Sequence, residues 1–224
     1  MPTSRRASRA RSRTIRRRRR TDWRERRRPT ATAPEETTPV PPPGSSYCAA
    51  VREGSSEPHG HYHDHQYGFP IHDDDALFGR LVLEINQAGL SWTTILRKAA
   101  NFARAYDGYS IAHITAYGDD DVARLLADAG IVRNRAKIRA AVENAKRVRA
   151  LQDAHGSFEA WLDAQHPLSL EAWLPLFKRT FVFTGGEITR EFLVSTGYLE
   201  GAHEPSCPIY ERVLEADPPW RRPA

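Results

Sequence analysis

The stretch Leu83–Leu96, LEINQAGLSWTTIL, joins two apolar helical segments at a glycine. Apolar residues upstream of it recur at helical spacing and stop at Ala88-Gly89. Ser91 follows, and serine is a preferred helix N-cap because its hydroxyl accepts a hydrogen bond from a free backbone amide of the first turn. Two helices are therefore predicted to meet at Gly89.

Helical periodicity continues along the chain as far as Gly197. No window alternates apolar and polar residues for long enough to require a strand. Further helices are predicted over residues 122–129, Arg133–Leu151, Phe158–Ala164, Leu170–Phe177 and from Gly185-Gly186 to Gly197. These patterns predict an all-α fold with seven or eight helices.

The front of the chain differs in composition from the rest. Residues 1–28 hold fourteen arginines against Asp22 and Glu25, and residues 29–46 are mostly Pro, Thr, Ala, Gly and Ser. Such a segment has no apolar set to bury, so it is predicted to be a disordered basic arm. The arm carries +12, whereas residues 29–224 carry 19 basic and 26 acidic groups, a net of −7. A polyanion would therefore be bound by a local basic patch or by helix N-termini, with the arm adding non-specific phosphate attraction.

The predicted domains are a disordered Arg/Pro-rich arm over residues 1–46 and a folded domain over residues 47–224. The alternative for the arm is a mis-assigned start, because Met1 is the only methionine and translation could begin at Val40 or Val51. No apolar segment follows the arginines, and no apolar run approaches a membrane span. We therefore expect a soluble cytoplasmic protein, within the nucleoid-associated pool, that does not contact the membrane.

Two cysteines, Cys48 and Cys207, stand near opposite ends of the predicted domain. A disulfide, two unrelated buried thiols and two metal ligands are all open, although an intracellular setting disfavours the disulfide. Cys207 lies four residues after His203, a spacing that lets both side chains reach one ion. Structural zinc takes four nitrogen or sulfur ligands. The spacing alone leaves a metal site and plain buried thiols equally open.

Four histidines lie within HGHYHDH, residues 59–65, and one of them would complete a Cys2His2 set. The cluster also suggests the hydrolytic metal pattern His-x-His-x-Asp-His. After His61-Tyr-His63, however, the aspartate comes one residue too early. This register disfavours a hydrolytic metalloenzyme.

Several segments together resemble the DNA-3-methyladenine glycosylase I (Tag-type) family of the helix-hairpin-helix DNA glycosylase superfamily. The resemblance runs in order over about residues 47–210, and Leu-Glu-x-x-Gln-Ala-Gly-Leu-Ser-Trp is its most specific string. The segments are Tyr62-His-Asp with Tyr67-Gly-Phe-Pro70, Leu83–Leu96, Ala129–Ile138 and His203…Cys207.

The resemblance implies a compact all-α helix-hairpin-helix glycosylase fold whose two ends are joined by one structural zinc ion. It selects Cys48, His63, His203 and Cys207 as the metal ligands. His59, His61 and His65 are then expected to be solvent-exposed or DNA-facing loop residues.

The resemblance also implies a monofunctional base-excision enzyme that releases alkylated bases, chiefly 3-methyladenine, and leaves an abasic site. The base must be flipped out, held between aromatic rings and read along its edge. Glu84 is assigned as the catalytic carboxylate, which accepts a hydrogen bond from the exocyclic amine of the base. Its apolar neighbours leave open whether its side chain faces the core or the solvent. The predicted base contacts are Tyr62, Tyr67, Gln87 and Trp92. A cationic base on a ring gains about 1–2 kcal/mol of cation–π attraction when desolvated.

Two departures from the family pattern reduce the predicted aromatic surface. Ala50 stands where the family commonly has a tryptophan, and Tyr67 stands where it often has another. These departures motivate an alternative, a zinc-stabilised module that binds damaged DNA without excision. They also suggest a shifted or broadened lesion preference.

The expected partner is double-stranded DNA containing alkylated bases, bound by a monomer. The segment from Phe181 to Thr189 resembles the superfamily hairpin, in which glycines let the backbone approach a phosphate and helix amides point toward it. Arg133-Asn-Arg-Ala-Lys137 forms a second basic cluster. The predicted DNA contacts are Arg133, Arg135, Lys178, Arg179, Thr184, Gly185 and Gly186.

Overall fold

A computed structural model describes residues 46–52 and 57–223. Residues 1–45 of the predicted arm, including the alternative start at Val40, lie outside the described residues. The described residues all belong to the compact unit that spans Thr38–Ala224.

Eleven α-helices and no strand occur within the described residues. Short 3-10 turns cover Asp107–Tyr109 and Pro219–Arg221. The helices are α1 Tyr47–Arg52, α2 His59–His65, α3 Asp74–Gln87, α4 Trp92–Ala105, α5 Ile111–Ile114, α6 Asp119–Ala127, α7 Arg135–His155, α8 Phe158–Asp163, α9 Leu170–Thr180, α10 Gly186–Ser195 and α11 Tyr210–Glu215. The all-α prediction is confirmed. The helix count exceeds the prediction because α1, α2, α5 and α11 have only four to seven residues, too few for a clear apolar repeat.

The junction between α3 and α4 has the predicted form. The helix α3 ends at Gln87, and Gly89 turns the chain with a φ of +79°, a conformation that glycine adopts without strain. The Ser91 hydroxyl then accepts a hydrogen bond from the Thr94 amide at 3.2 Å. Local side-chain chemistry therefore sets this boundary, as the sequence indicated.

The central helix is α3, which packs against α4, α7, α8 and α10. Its buried apolar residues include Leu77, Phe78, Leu81 and Ile85. From α7, the buried Lys137 ammonium donates to the carbonyl oxygens of Asn86 at 2.9 Å and Ala88 at 2.6 Å. These bonds satisfy carbonyl groups that the end of a helix leaves without partners. Because α3 is surrounded, its polar residues Arg80, Glu84 and Asn86 are buried as well.

The turn between α9 and α10 is held by the buried side chain of Asn144 from α7. Its Nδ2 donates to the Val182 carbonyl at 3.0 Å, and its Oδ1 accepts from the Val182 amide at 2.8 Å. The helix α10 then begins at Gly186, as the glycine pair predicted. Among the helices of the described part, none is long and apolar enough to cross a membrane.

Candidate active site and metal centre

A cavity of about 770 Å³ lies beside α3 and is also lined by α1, α2, α4, α10 and the segment before α11. All the residues predicted for catalysis and base contact line it together. These residues are Glu84, Tyr62, Tyr67, Gln87 and Trp92. The fold therefore brings together side chains from α2, from α3, from the start of α4 and from the turn that follows α2.

Glu84 turns its carboxylate into the buried side of α3, and the residue is only 4% exposed. Burial raises the pKa of Glu84 to about 8, with Arg80 opposing the rise and Glu191 adding to it. Desolvation disfavours the charged form of a carboxylic acid, so Glu84 is largely neutral near pH 7 before a base binds. A carboxyl group with its pKa near neutrality, in a cavity, is typical of a functional site.

Arg80, one turn before Glu84, is also buried. Its guanidinium donates to the Tyr62 hydroxyl at 2.5 Å and lies 4.8 Å from the centre of the Tyr62 ring. A second guanidinium nitrogen, Nη2, donates to the Gln66 side-chain oxygen at 3.4 Å. Arg80 thus fixes Tyr62 and supplies positive charge close to Glu84.

The aromatic side of the cavity is a packed set of rings. Tyr62 meets Trp92 at 5.2 Å with an interplanar angle of 65°, and Tyr67 at 5.6 Å with an angle of 40°. Such tilted pairs are favoured by the quadrupoles of the rings. Gln87 lines the cavity and also donates to the Leu90 carbonyl at 3.3 Å, so it serves the end of α3 at the same time.

The acidic side of the cavity was not predicted. Glu187 and Glu191 line it from α10, and Glu200 and Glu204 line it from the segment that follows. The Tyr67 hydroxyl donates to Glu191 at 3.4 Å, and burial raises the pKa of Glu191. The signal in the sequence was the four-residue spacing of Glu187 and Glu191, which places both on one helix face.

The second cluster contains Cys48, His63, His203 and Cys207, all buried, with their candidate ligand atoms within 4.8 Å of one another. The His203 Nδ1 atom lies 3.5 Å from the Cys48 Sγ and 3.7 Å from the Cys207 Sγ. The His63 Nε2 atom lies 3.7 Å from the Cys207 Sγ. Bonds of about 2.0–2.3 Å in a tetrahedron put neighbouring ligand atoms about 3.3–3.8 Å apart. The cluster could therefore hold a metal ion. Neither cysteine forms a disulfide, so the disulfide interpretation is wrong.

Each of the two histidines uses one ring nitrogen for a hydrogen bond outside the cluster, and its other nitrogen faces the cysteines. His203 Nε2 donates to the Tyr67 carbonyl at 2.7 Å, and His63 Nδ1 donates to Asp64 at 2.7 Å. Metal-bound histidines typically make such a second bond to a carbonyl or a carboxylate. Gly68, with a φ of +83°, follows Tyr67, and a Cβ there would lie 2.5 Å from the Ala202 Cβ. Only glycine therefore fits beside this cluster.

The remaining histidines correct one prediction. They belong to a helix, α2, and not to a loop. His61 and His65 are exposed as expected, but His59 is only 7% exposed. Its ring bonds to the Tyr47 hydroxyl at 2.9 Å and to the Thr93 hydroxyl at 2.8 Å. His59 is excluded from solvent because helical spacing puts it on the face of His63, toward α1 and α4.

The predicted DNA-contact residues lie in two places. Lys178 and Arg179 are exposed at the end of α9, and Gly185 and Gly186 are exposed at the start of α10. Thr184 is half-buried, and its hydroxyl donates to the Phe177 carbonyl at 3.2 Å. Arg133 and Arg135 are exposed before and at the start of α7, whereas the nearby Lys137 is buried under α3. Only the two arginines of that cluster are therefore available to a partner.

Comparison with known proteins gives consistent matches. Residues 53–172 match the family model described as methyladenine glycosylase. The DNA-3-methyladenine glycosylase 1 of Escherichia coli (strain K12) is 33% identical over 168 residues, which cover 66% of this chain and 89% of that protein.

Solved structures agree with these sequence matches. The 3-methyladenine DNA glycosylase I from Staphylococcus aureus has 29% identity and a TM-score of 0.62, over 70% of this chain and 94% of that one. A variant of 3-methyladenine DNA glycosylase I in complex with 3-methyladenine has 27% identity and a TM-score of 0.63, over 71% of this chain and 95% of that one.

Proposed function

This chain belongs to the methyladenine glycosylase family, and we propose from that premise that it is a monofunctional base-excision glycosylase. It releases alkylated bases, chiefly 3-methyladenine, from double-stranded DNA by hydrolysis and leaves an abasic site. The observation that carries the proposal is the buried Glu84 in an aromatic-lined cavity. The relatives named as glycosylases favour excision over a module that only binds damaged DNA.

The first step of the proposed reaction is extraction of the damaged nucleotide. An alkylated adenine in DNA is cationic, which weakens its bond to the sugar and makes the base a good leaving group. The enzyme must flip that base from the stack and hold it in a pocket. The rings of Tyr62 and Trp92 would bind the base by stacking and by cation–π attraction. Neutral adenine would gain less from these contacts because it carries no positive charge.

Glu84 then reads the edge of the base. We propose that its carboxylate accepts a hydrogen bond from the exocyclic amine and stabilises positive charge on the sugar and the base. A cationic base favours the ionised carboxylate, so its arrival would displace the proton that Glu84 holds in the free protein. The carboxyl groups of Glu187 and Glu191 add to the preference for a cationic base, and Arg190, which lines the same cavity and pairs with Glu191, offsets part of their charge.

Water is the proposed nucleophile. Among the described residues that line the cavity there is no lysine, the side chain that attacks the sugar as an amine in glycosylases that also cut the strand. The product is therefore an intact strand with an abasic site.

We propose that Cys48, His63, His203 and Cys207 hold one zinc ion with a structural role. Two thiolates and two imidazoles suit zinc better than magnesium or calcium. When bound, the ion would supply a cross-link between α1, α2 and the segment before α11. Four buried protein ligands fill a tetrahedron, so they leave no open position for a hydrolytic metalloenzyme.

We propose that DNA is gripped by a helix-hairpin-helix formed by α9, the Phe181–Gly185 turn and α10, and that the protein acts as a monomer. Lys178 and Arg179 would contact phosphates beside the α10 N-terminus, with Arg133 and Arg135 as a second contact. The proposed glycosylase domain begins at residue 47, since α1 carries Tyr47 at the cavity and Cys48 in the metal cluster. A start at Val51 would remove both.

The test is release of free base from methylated duplex DNA by the metal-loaded full chain, resolved by chromatography. We expect 3-methyladenine as the main product, and we expect Glu84→Gln, which keeps the shape of the side chain, to lose most of the activity. A folded Glu84→Gln protein that excises at the wild-type rate would contradict the role of Glu84. A folded, metal-loaded wild type that binds damaged DNA but releases no base would support the binding-module alternative.

A further inference from the structure

Tyr47, the first residue of α1, is an aromatic residue of the cavity that the sequence did not single out. It is half-buried and lines the cavity together with Tyr62, Tyr67 and Trp92. Its ring packs against Tyr67 at 5.2 Å and 79°, and against Tyr62 at 6.3 Å and 61°. The three tyrosines therefore form one continuous aromatic wall.

A chain of hydrogen bonds fixes the hydroxyl of Tyr47. The hydroxyl bonds to His59 Nδ1 at 2.9 Å, and His59 Nε2 bonds to the Thr93 hydroxyl at 2.8 Å. A neutral imidazole has one donor and one acceptor, and the two hydroxyl groups can take either role. Both nitrogens are thus satisfied in either tautomer. Burial, together with the charge of Arg97, lowers the pKa of His59, which favours the neutral ring.

The chain of bonds runs between two walls of the cavity. His59 is the first residue of α2, and Thr93 follows Trp92 in the first turn of α4. Tyr47 is thereby tied, through two hydrogen bonds, to the backbone that carries Trp92. A ring that is held in place before binding loses less side-chain freedom when a ligand arrives.

We propose that Tyr47 is a specificity-determining residue whose ring contacts the extruded alkylated base, and that His59 and Thr93 are positioning residues that hold it there. This inference rests on the proposed function. Ala50, where the family pattern has a tryptophan, is half-buried further along α1 and does not line the cavity described above. Tyr47 supplies aromatic surface from the start of the same helix, which offsets that loss.

The test compares variants of the metal-loaded full chain in two measurements. One is the dissociation constant of free 3-methyladenine by calorimetry, and the other is the single-turnover rate of its release from methylated duplex DNA. Tyr47→Leu keeps apolar bulk but removes the ring, and we expect affinity and rate to fall about tenfold or more, the usual effect of losing a base-stacking ring. Tyr47→Phe keeps the ring but removes the hydroxyl that bonds to His59, so we expect a severalfold loss of affinity, like that of Thr93→Val and smaller than that of Tyr47→Leu.

The positioning role is tested by a matched pair at Thr93. Thr93→Val keeps the shape and removes the hydroxyl, whereas Thr93→Ser keeps the hydroxyl. We expect a severalfold loss of base affinity in Thr93→Val and recovery in Thr93→Ser, with metal content and melting temperature measured for each. A purely structural role would not make base affinity follow the hydroxyl.

The outcomes separate the inference from the function on which it rests. Wild-type affinity in Tyr47→Leu, or equal losses in Tyr47→Leu and Tyr47→Phe, would overturn the role of the ring. Wild-type affinity in Thr93→Val would overturn the positioning role, and this pair decides even if Tyr47→Leu fails to load metal. A folded wild type that neither binds nor releases 3-methyladenine would overturn the proposed function and the role of Tyr47 with it.

Discussion

Arg80 and Glu84 lie one turn apart on α3, both buried, yet the Arg80 guanidinium points its short hydrogen bond of 2.5 Å at the Tyr62 hydroxyl. The charge of Arg80 only partly offsets the burial of Glu84, whose pKa still rises to about 8. Before a base binds, the pocket therefore carries a carboxyl group that is ready to give up its proton. We therefore expect Glu84 to contribute to the pH dependence of both binding and stability.

The first prediction concerns the pH dependence of excision. A cationic base stabilises ionised Glu84, so the pKa of Glu84 falls on binding and a proton is released below pH 8. We expect kcat/KM for 3-methyladenine in DNA to rise with pH up to about 8 and then to level off. The measurement is kcat/KM from about pH 5.5 to about pH 9, and Glu84→Gln should lose this pH dependence along with most of the activity. A wild-type profile that is flat between about pH 6 and about pH 8 would contradict the linkage.

The second prediction concerns stability. The folded-state pKa of Glu84 lies above the ordinary value of 4.5 that the unfolded chain has, so the native state holds the extra proton. Stability from this group is fully present below pH 4.5 and is lost as the pH rises through about 8. A pKa difference of one corresponds to about 1.4 kcal/mol, so the loss by neutral pH is on the order of 3–4 kcal/mol.

The measurement for the second prediction is denaturant unfolding of wild type and Glu84→Gln at several pH values. Glutamine carries no charge, so the variant should gain stability over the wild type as the pH rises from about 5 to about 8. A stability difference that does not change with pH would show that Glu84 stays ionised in the folded protein. Comparing the two proteins cancels the titration of the metal ligands.

The third prediction concerns the metal. His63 is buried in the cluster, whereas His61 is exposed on the opposite face of the same helix. We expect one zinc per chain by elemental analysis, lost in His63→Ala and kept in His61→Ala, which is the matched control. Because the ion would link helices that are distant in sequence, His63→Ala should also lower the melting temperature strongly. Equal metal content in the two variants would exclude His63 as a ligand.

The fourth prediction concerns the grip on DNA. Replacing Lys178 and Arg179 together by alanine should weaken binding to duplexes of different sequence by the same factor, because phosphate contacts carry no sequence information. The slope of log affinity against log salt should become shallower by about 0.9 for each phosphate that these side chains neutralise. Arg149→Ala on α7, an exposed arginine paired with Asp153, is the control and should leave the slope unchanged. An unchanged slope in the double variant would place DNA elsewhere.

Local features of the fold could be predicted because they depend on near neighbours in the chain. Ser91 caps α4 and the glycine pair opens α10, both as expected, and Ser157 caps α8 in the same way, accepting from the Ala160 amide at 2.8 Å. Four-residue helices such as Ile111–Ile114 were missed because their stability comes from packing and not from their own periodicity.

The orientation of Glu84 needed the tertiary structure. A lone glutamate in an apolar helix usually faces water, and its neighbours Leu83 and Ile85 left its direction ambiguous. The structure decides it because α3 packs against α4, α5, α7, α8 and α10, which bury the middle of the helix together with Glu84. Glu191 and Tyr47 were missed for a related reason: α10 and α1 reach the cavity only through the fold.

The amino-acid sequence by itself determined the helical class, the helix starts at Ser91 and at the glycine pair, and the set of residue types that the site uses, because propensity, capping and apolar spacing act over a few residues. Within HGHYHDH, four-residue spacing already divides the histidines into one pair, His59 and His63, and a second pair, His61 and His65. Only the tertiary structure decided which pair is buried and what each ring contacts. Helices α1 and α4 and the segment from His203 to Cys207 pack against one face of α2 and leave the other to solvent.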